Sequence, residues 1–220
     1  GWFNDARMWD LLPRLRPLLG PGTIVLPALN GIPWWYFYRA GGKYEGRPVR
    51  CLDPDGAMLA ALDPGRLVGC VVYGAGDSPE PGVIRQTSDD QPLAIGEPDG
   101  ADTPRLAALA KALSVPGLAI KSDARIRNAI WTKLLGNVAF NPISALARAD
   151  MQVIATHARL NGLVRNVMTE AVATGHAHGI AGLGHGGIQQ HGVEAHLQGF
   201  RRLRGGAESG RDGRGFPGQR

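Results

Sequence analysis

The stretch Trp131-Thr132-Lys133-Leu134-Leu135-Gly136-Asn137-Val138-Ala139-Phe140-Asn141-Pro142 decides how this 220-residue chain is read. Lys133, Asn137 and Asn141 recur at i, i+4 and i+8. On an α-helix each step of four drifts by only about 40°, so the three form one polar stripe. Ile126, Ile130 and Phe140 border the stripe, with Leu134, Leu135 and Val138 beyond. A solvent face normally carries Glu, Lys and Arg, whereas one ammonium and two carboxamides inside an apolar helix predict a cleft. The residue types suit the reduction of a ketone, which leaves an alkoxide needing a proton and a nearby positive charge. A partly desolvated lysine offers both. Carboxamides donate and accept, as holding a hydroxyl and a carboxylate requires. Spacing alone also admits an ordinary surface lysine followed by asparagines at a fraying helix end.

Outward from this stretch, the periodicity predicts a helix from Asp123 to Phe140, ended or kinked by Pro142, and another from Leu160 to Ile180. The half before Ser122 reads differently. Asp10–Leu19 is a short amphipathic helix, and Thr23-Ile24-Val25-Leu26 is a strand closed by the turn signal Asn30-Gly31. Leu67–Tyr73 is apolar almost throughout, as in a strand covered on both faces. Pro81–Ile84 and Leu93–Gly96 are further strands. Thr103 caps a helix that has Pro104 in its first turn and runs to Leu113. Strands alternating with helices predict an α/β layer over 1–122, followed by an all-helical domain over 123–180.

Residues 181–220 carry 12 glycines and no face of large apolar side chains, which predicts disorder. Their six arginines stand against three acids, so they supply +3 of the net charge of +5. Arg201-Arg202-Leu203-Arg204-Gly205-Gly206 allows a nucleic-acid-binding reading, but the basicity is concentrated in a segment that resembles out-of-frame coding more than an evolved tail. Trp34-Trp35-Tyr36-Phe37-Tyr38 could stack bases, yet its place just after Asn30-Gly31-Ile32-Pro33 favours packing beside a cleft. Cys51 and Cys70 have no metal-ligand spacing, and His176 and His178 do not share a helix face, so no metal site is expected. Two cysteines, no membrane-length apolar run and no secretory leader suggest a cytoplasmic protein without a membrane partner. Gly1 in place of Met predicts that the chain begins inside a longer product.

The Trp131–Pro142 stretch, with Ile143-Ser144-Ala145 after it, resembles the signature of the ketopantoate reductase (2-dehydropantoate 2-reductase) family: W-x-K-L-x-x-N, then N-P, then a small or hydroxyl residue and Ala. Val25-Leu26-Pro27-Ala28-Leu29-Asn30-Gly31-Ile32 resembles that family's strand followed by Q-N-G, with Leu29 in place of Gln. Gly69–Ala75, Pro81-Gly82-Val83 and Ile95-Gly96-Glu97 follow in matching order. The resemblance covers residues 10 to about 180. It implies a partial Rossmann-like layer, the C-terminal portion of an NADP-binding domain, followed by a truncated helical domain like the C-terminal domain of 6-phosphogluconate dehydrogenase. It implies reduction of ketopantoate by NADPH in pantothenate and coenzyme A biosynthesis, a small 2-keto acid substrate and a homodimer. Carried over by position, Lys133 is the proton donor, Asn137 and Asn141 hold the substrate, Asn30 lies where nicotinamide ribose and substrate meet, and Ala75 gives a backbone contact to the cofactor.

The departures from the family pattern are equally specific. No G-x-G-x-x-G loop follows a first strand, so the pyrophosphate cradle is missing. Asn4-Asp5-Ala6-Arg7 lacks the family's lysine, a further substrate-side asparagine falls at Met151, and the family's distal Ser and Glu have no counterpart. A catalytically inactive remnant is therefore the alternative reading of the same fold.

Overall fold

The structure, a computed structural model, describes residues 6–74, 76–86 and 92–183, with the side chains of residues 6–10 and of Asp77 excepted. The expectations placed on Ala75 and on 184–220, the arginine/glycine tail among them, lie outside the described residues.

Helix α1 (Ala6–Leu15) leads through a single 3-10 turn into a loop, and short α2 (Ala57–Ala61) precedes the sheet. Strands β1 (Gly69–Val72), β2 (Gly76–Glu80), β3 (Val83–Gln86) and β4 (Leu93–Gly96) follow, then α3 (Pro104–Leu113) and β5 (Ile120–Ser122). After Ser122 every described element is helical: α4 (Ile126–Ala147), α5 (Met151–Thr156) and α6 (Ala158–Ala177). The main sheet has the order β1-β4-β5, antiparallel between β1 and β4 and parallel between β4 and β5, while β2 and β3 form a separate hairpin. That hairpin turns the chain back, which is why β4 returns antiparallel to β1. The expected strand at Thr23–Leu26 is reduced to a single parallel bridge between Val25 and Leu67.

Successive residues of a strand point to opposite faces. Leu67 and Val71 accordingly join Trp34, Trp35, Met58 and Ile126 on one side of the sheet, and Val68 and Cys70 join Ile95 and Leu106 on the other. Gly96 closes β4 where α4 begins: a Cβ there would lie 2.2 Å from the Asp123 carbonyl oxygen, so only glycine lets the two backbones meet. Glu97, 3% exposed, accepts hydrogen bonds from Thr103 Oγ1 at 2.6 Å and Arg105 Nε at 2.7 Å, tying the end of β4 to the first turn of α3. Thr103 is the N-cap there, its hydroxyl accepting from the Leu106 amide.

The structure departs from the sequence expectations in two further places. First, α4 does not end near Phe140 but passes through Pro142 to Ala147, ending with Arg148 in the left-handed region. Second, the packed chain continues past Ile180 to Leu183, which is buried in the helical core. Trp34, Trp35 and Tyr36 lie in turns and pack, as their place after Asn30-Gly31-Ile32-Pro33 favours. They are 0%, 1% and 3% exposed, so they cannot stack bases.

Candidate functional site

Two stripes on α4, offset by two residues and hence by about 200° around the axis, divide its work. Trp131, Leu135, Ala139 and Ile143 are buried and pack with Val164, Met168 and Val172 of α6. The Trp131 indole donates to the Tyr36 hydroxyl at 2.7 Å, fixing the chain after the Asn30-Gly31 turn against this helix. Arg127, one turn earlier, donates to the carbonyls of Tyr36 at 2.9 Å, Tyr38 at 2.5 Å and Pro98, a second clamp on the same segment. The sequence reading passed over Arg127; the signal available was a lone guanidinium between Ile126 and Ile130.

Because the core stripe is held from both sides, the opposite stripe is left facing a cleft. This cleft measures about 670 Å³ and is lined by Asn30 and Gly31 on one wall and Asn137, Val138, Asn141 and Pro142 on the other. Gly31 has φ +90°, the left-handed turn that brings Asn30 to the rim. Asn30 and Asn141 are exposed and Asn137 is half-buried. Among the described residues none of the three carboxamides has a hydrogen-bond partner. The volume suits a small molecule.

Lys133 is on the same stripe but is not among the residues lining the cleft. It stands one turn closer to the sheet, half-buried, with its ammonium 5.8 Å from the centre of the Tyr73 ring, within cation–π reach. Among the described residues it has no carboxylate partner. Burial pushes its pKa below the usual lysine range. Burial, with the charge of Asp123 adding to it, raises the Tyr73 phenol. Tyr73 was not singled out from sequence, although it follows the C-terminal end of β1, where open α/β sheets gather their ligands. Met151 begins α5 and packs at the edge of the helical core, so that position presents an apolar side chain. Among the described residues no group of His, Cys, Asp and Glu could hold a metal ion, and no helix is long and apolar enough to cross a membrane.

Comparison with known proteins bears on the family and the fold. Residues 125–199 match the model of the ketopantoate reductase PanE/ApbA C-terminal domain, so the match runs past the break at residue 181 that composition suggests. A 2-dehydropantoate 2-reductase from Mesorhizobium japonicum is 39% identical over 169 residues, covering 77% of this chain and 52% of that protein. Among solved structures, a protein assigned as a ketopantoate reductase from Ralstonia solanacearum superposes with a TM-score of 0.73 at 35% identity, covering 78% of this chain and 53% of that one. A D-mandelate dehydrogenase solved with NADH shares the fold at a TM-score of 0.68 and 14% identity, covering 86% of this chain and 56% of that one. The chain thus spans about half the length of the relatives it matches. Its small sheet and the helical domain behind it are those of the ketopantoate reductase PanE/ApbA family, to which the chain belongs.

Proposed function

We propose that this chain carries the substrate-holding and proton-donating half of an NADPH-dependent 2-dehydropantoate 2-reductase. The observation that supports this most is the meeting of Asn30 with Asn137 and Asn141 across one cleft, with a desolvated Lys133 one turn away on the same helix face. Asn137 and Asn141 orient the 2-keto acid through their amide donors and acceptors. The Lys133 ammonium polarises the keto oxygen and gives up a proton from Nζ as the alcohol forms. Its lowered pKa makes that transfer easier, and its charge steadies the developing alkoxide.

The residues present fit one end of the cofactor. Asn30, exposed on the rim with its carboxamide unpaired, suits the nicotinamide ribose. Ala75 is assigned a backbone contact to the cofactor by resemblance alone. NADPH, when bound, supplies the hydride. The glycine-rich cradle for its pyrophosphate is not in this sequence, so the 220-residue chain by itself reduces ketopantoate poorly or not at all, because positioning contributes much of the rate.

A second reading, another 2-keto acid as substrate, is favoured by the fold shared with D-mandelate dehydrogenase. Steady-state NADPH oxidation separates the two once the chain is joined to a family nucleotide-binding region. Ketopantoate should have a kcat/KM at least tenfold above phenylglyoxylate. Preference for phenylglyoxylate would overturn the assignment.

A further inference from the structure

Pro142 lies inside α4, five residues before its end, and has no N–H. The carbonyl four residues earlier, that of Val138, therefore lacks its helical donor. Both Val138 and Pro142 line the cleft, between the carboxamides of Asn137 and Asn141. Val138 is 37% exposed, and the carbonyl runs along the helix face between it and Pro142, the two residues that line the cleft. The neighbouring hydroxyl does not serve it: Ser144 donates to the Ala149 carbonyl at 2.7 Å. Among the described residues no other side chain donates to it.

A carbonyl oxygen can only accept. The keto and carboxylate oxygens of a 2-keto acid also only accept, and carboxamides can turn to suit either kind of partner. Among the groups a 2-keto acid can carry at this wall, a hydroxyl is therefore the one able to pair with the Val138 carbonyl. We propose that the Val138 main-chain carbonyl, released by Pro142, accepts a hydrogen bond from a substrate hydroxyl and so selects hydroxylated 2-keto acids over those without one. This rests on the cleft being the 2-keto acid site and goes beyond it by naming the group that discriminates. A ligand without the hydroxyl leaves a cleft-wall acceptor with no partner as water is displaced, which counts against it.

The test compares ketopantoate with trimethylpyruvate, the same skeleton with hydrogen in place of the hydroxyl. Each is titrated into the 220-residue chain and into its Pro142→Ala variant, followed by NMR with 13C at the Val138 carbonyl. Alanine restores the amide that recaptures the carbonyl, and it favours the helix, so the variant folds. The unsubstituted chain should prefer ketopantoate about tenfold, the worth of one hydrogen bond. Its Val138 carbonyl resonance should move downfield with ketopantoate and stay in place with trimethylpyruvate. Pro142→Ala should remove both the preference and the shift. Equal weakening of both ligands, or a preference that survives the substitution, overturns the proposal alone. Binding of neither ligand by the unsubstituted chain overturns the site reading beneath it.

Discussion

Replacing Lys133 by Met should make the protein more stable. The ammonium is half-buried, has no carboxylate partner among the described residues and lies 5.8 Å from the centre of the Tyr73 ring. A fully buried ion costs several kcal/mol, so half-burial costs about 2 kcal/mol. The Tyr73 ring returns about 0.5–1 kcal/mol of that. Met fills nearly the same volume without the charge, so the gain at pH 7 is about 1 kcal/mol, or about 2–4 °C in Tm. The pH dependence gives the sign. The folded pKa of Lys133 is lowered by burial, so between it and the unfolded value of about 10.4 the unfolded chain binds more protons and stability rises with pH. The penalty is therefore fully present below the folded pKa and has gone by about pH 10.4. Urea unfolding of both proteins, from pH 7 upward, should show the advantage of Lys133→Met shrinking over that window. A variant that is less stable at pH 7, or an advantage that does not change with pH, would mean that the buried Lys133 charge carries no such penalty.

Three further outcomes follow from the packing. The buried Glu97 carboxyl is held below the usual carboxylate range, first by its hydrogen bond from Arg105 and also by that from Thr103. Its contribution is thus present above the unfolded pKa of about 4.3 and lost as pH falls through the lower folded value. Glu97→Gln should cost about 2 kcal/mol at pH 7, with the difference closing toward pH 3, measured by urea melts across that range. Gly96→Ala drives a methyl into the Asp123 carbonyl and the Ile126 side chain, and should cost about 3 kcal/mol or prevent folding, read by circular dichroism. Trp131→Phe leaves the Tyr36 hydroxyl without its indole donor in a buried setting, and should cost about 1–3 kcal/mol in a thermal melt.

The parts of this molecule that were legible in sequence are those where local chemistry and tertiary use agree. Leu93–Gly96 is a strand by composition and by pairing, and Thr103 caps α3 as its hydroxyl and the following proline predict. The Lys133–Asn141 stripe was legible because its polar residues break an apolar helix. Strand β5, only Ile120–Ser122, was not: three residues carry no period, and they are a strand because β4 offers them an edge. The passage of α4 through Pro142 was hidden as well. A proline normally stops a helix by stranding a carbonyl in a dry interior, whereas here the stranded carbonyl belongs to Val138 on a cleft wall. Arg127 and Tyr73 act through groups distant in sequence, and nothing in their own neighbourhoods announces those partners.

In the proposed reaction Lys133 gives the proton to ketopantoate, and this chain supplies the substrate side. That role is read from kcat for ketopantoate-dependent NADPH oxidation in the chain joined to a family nucleotide-binding region, with and without Lys133→Ala. A fall in kcat of about 100-fold or more is expected, because proton donor and positive charge go together, while the fold survives as judged by circular dichroism. Full activity in the Lys133→Ala protein would contradict it.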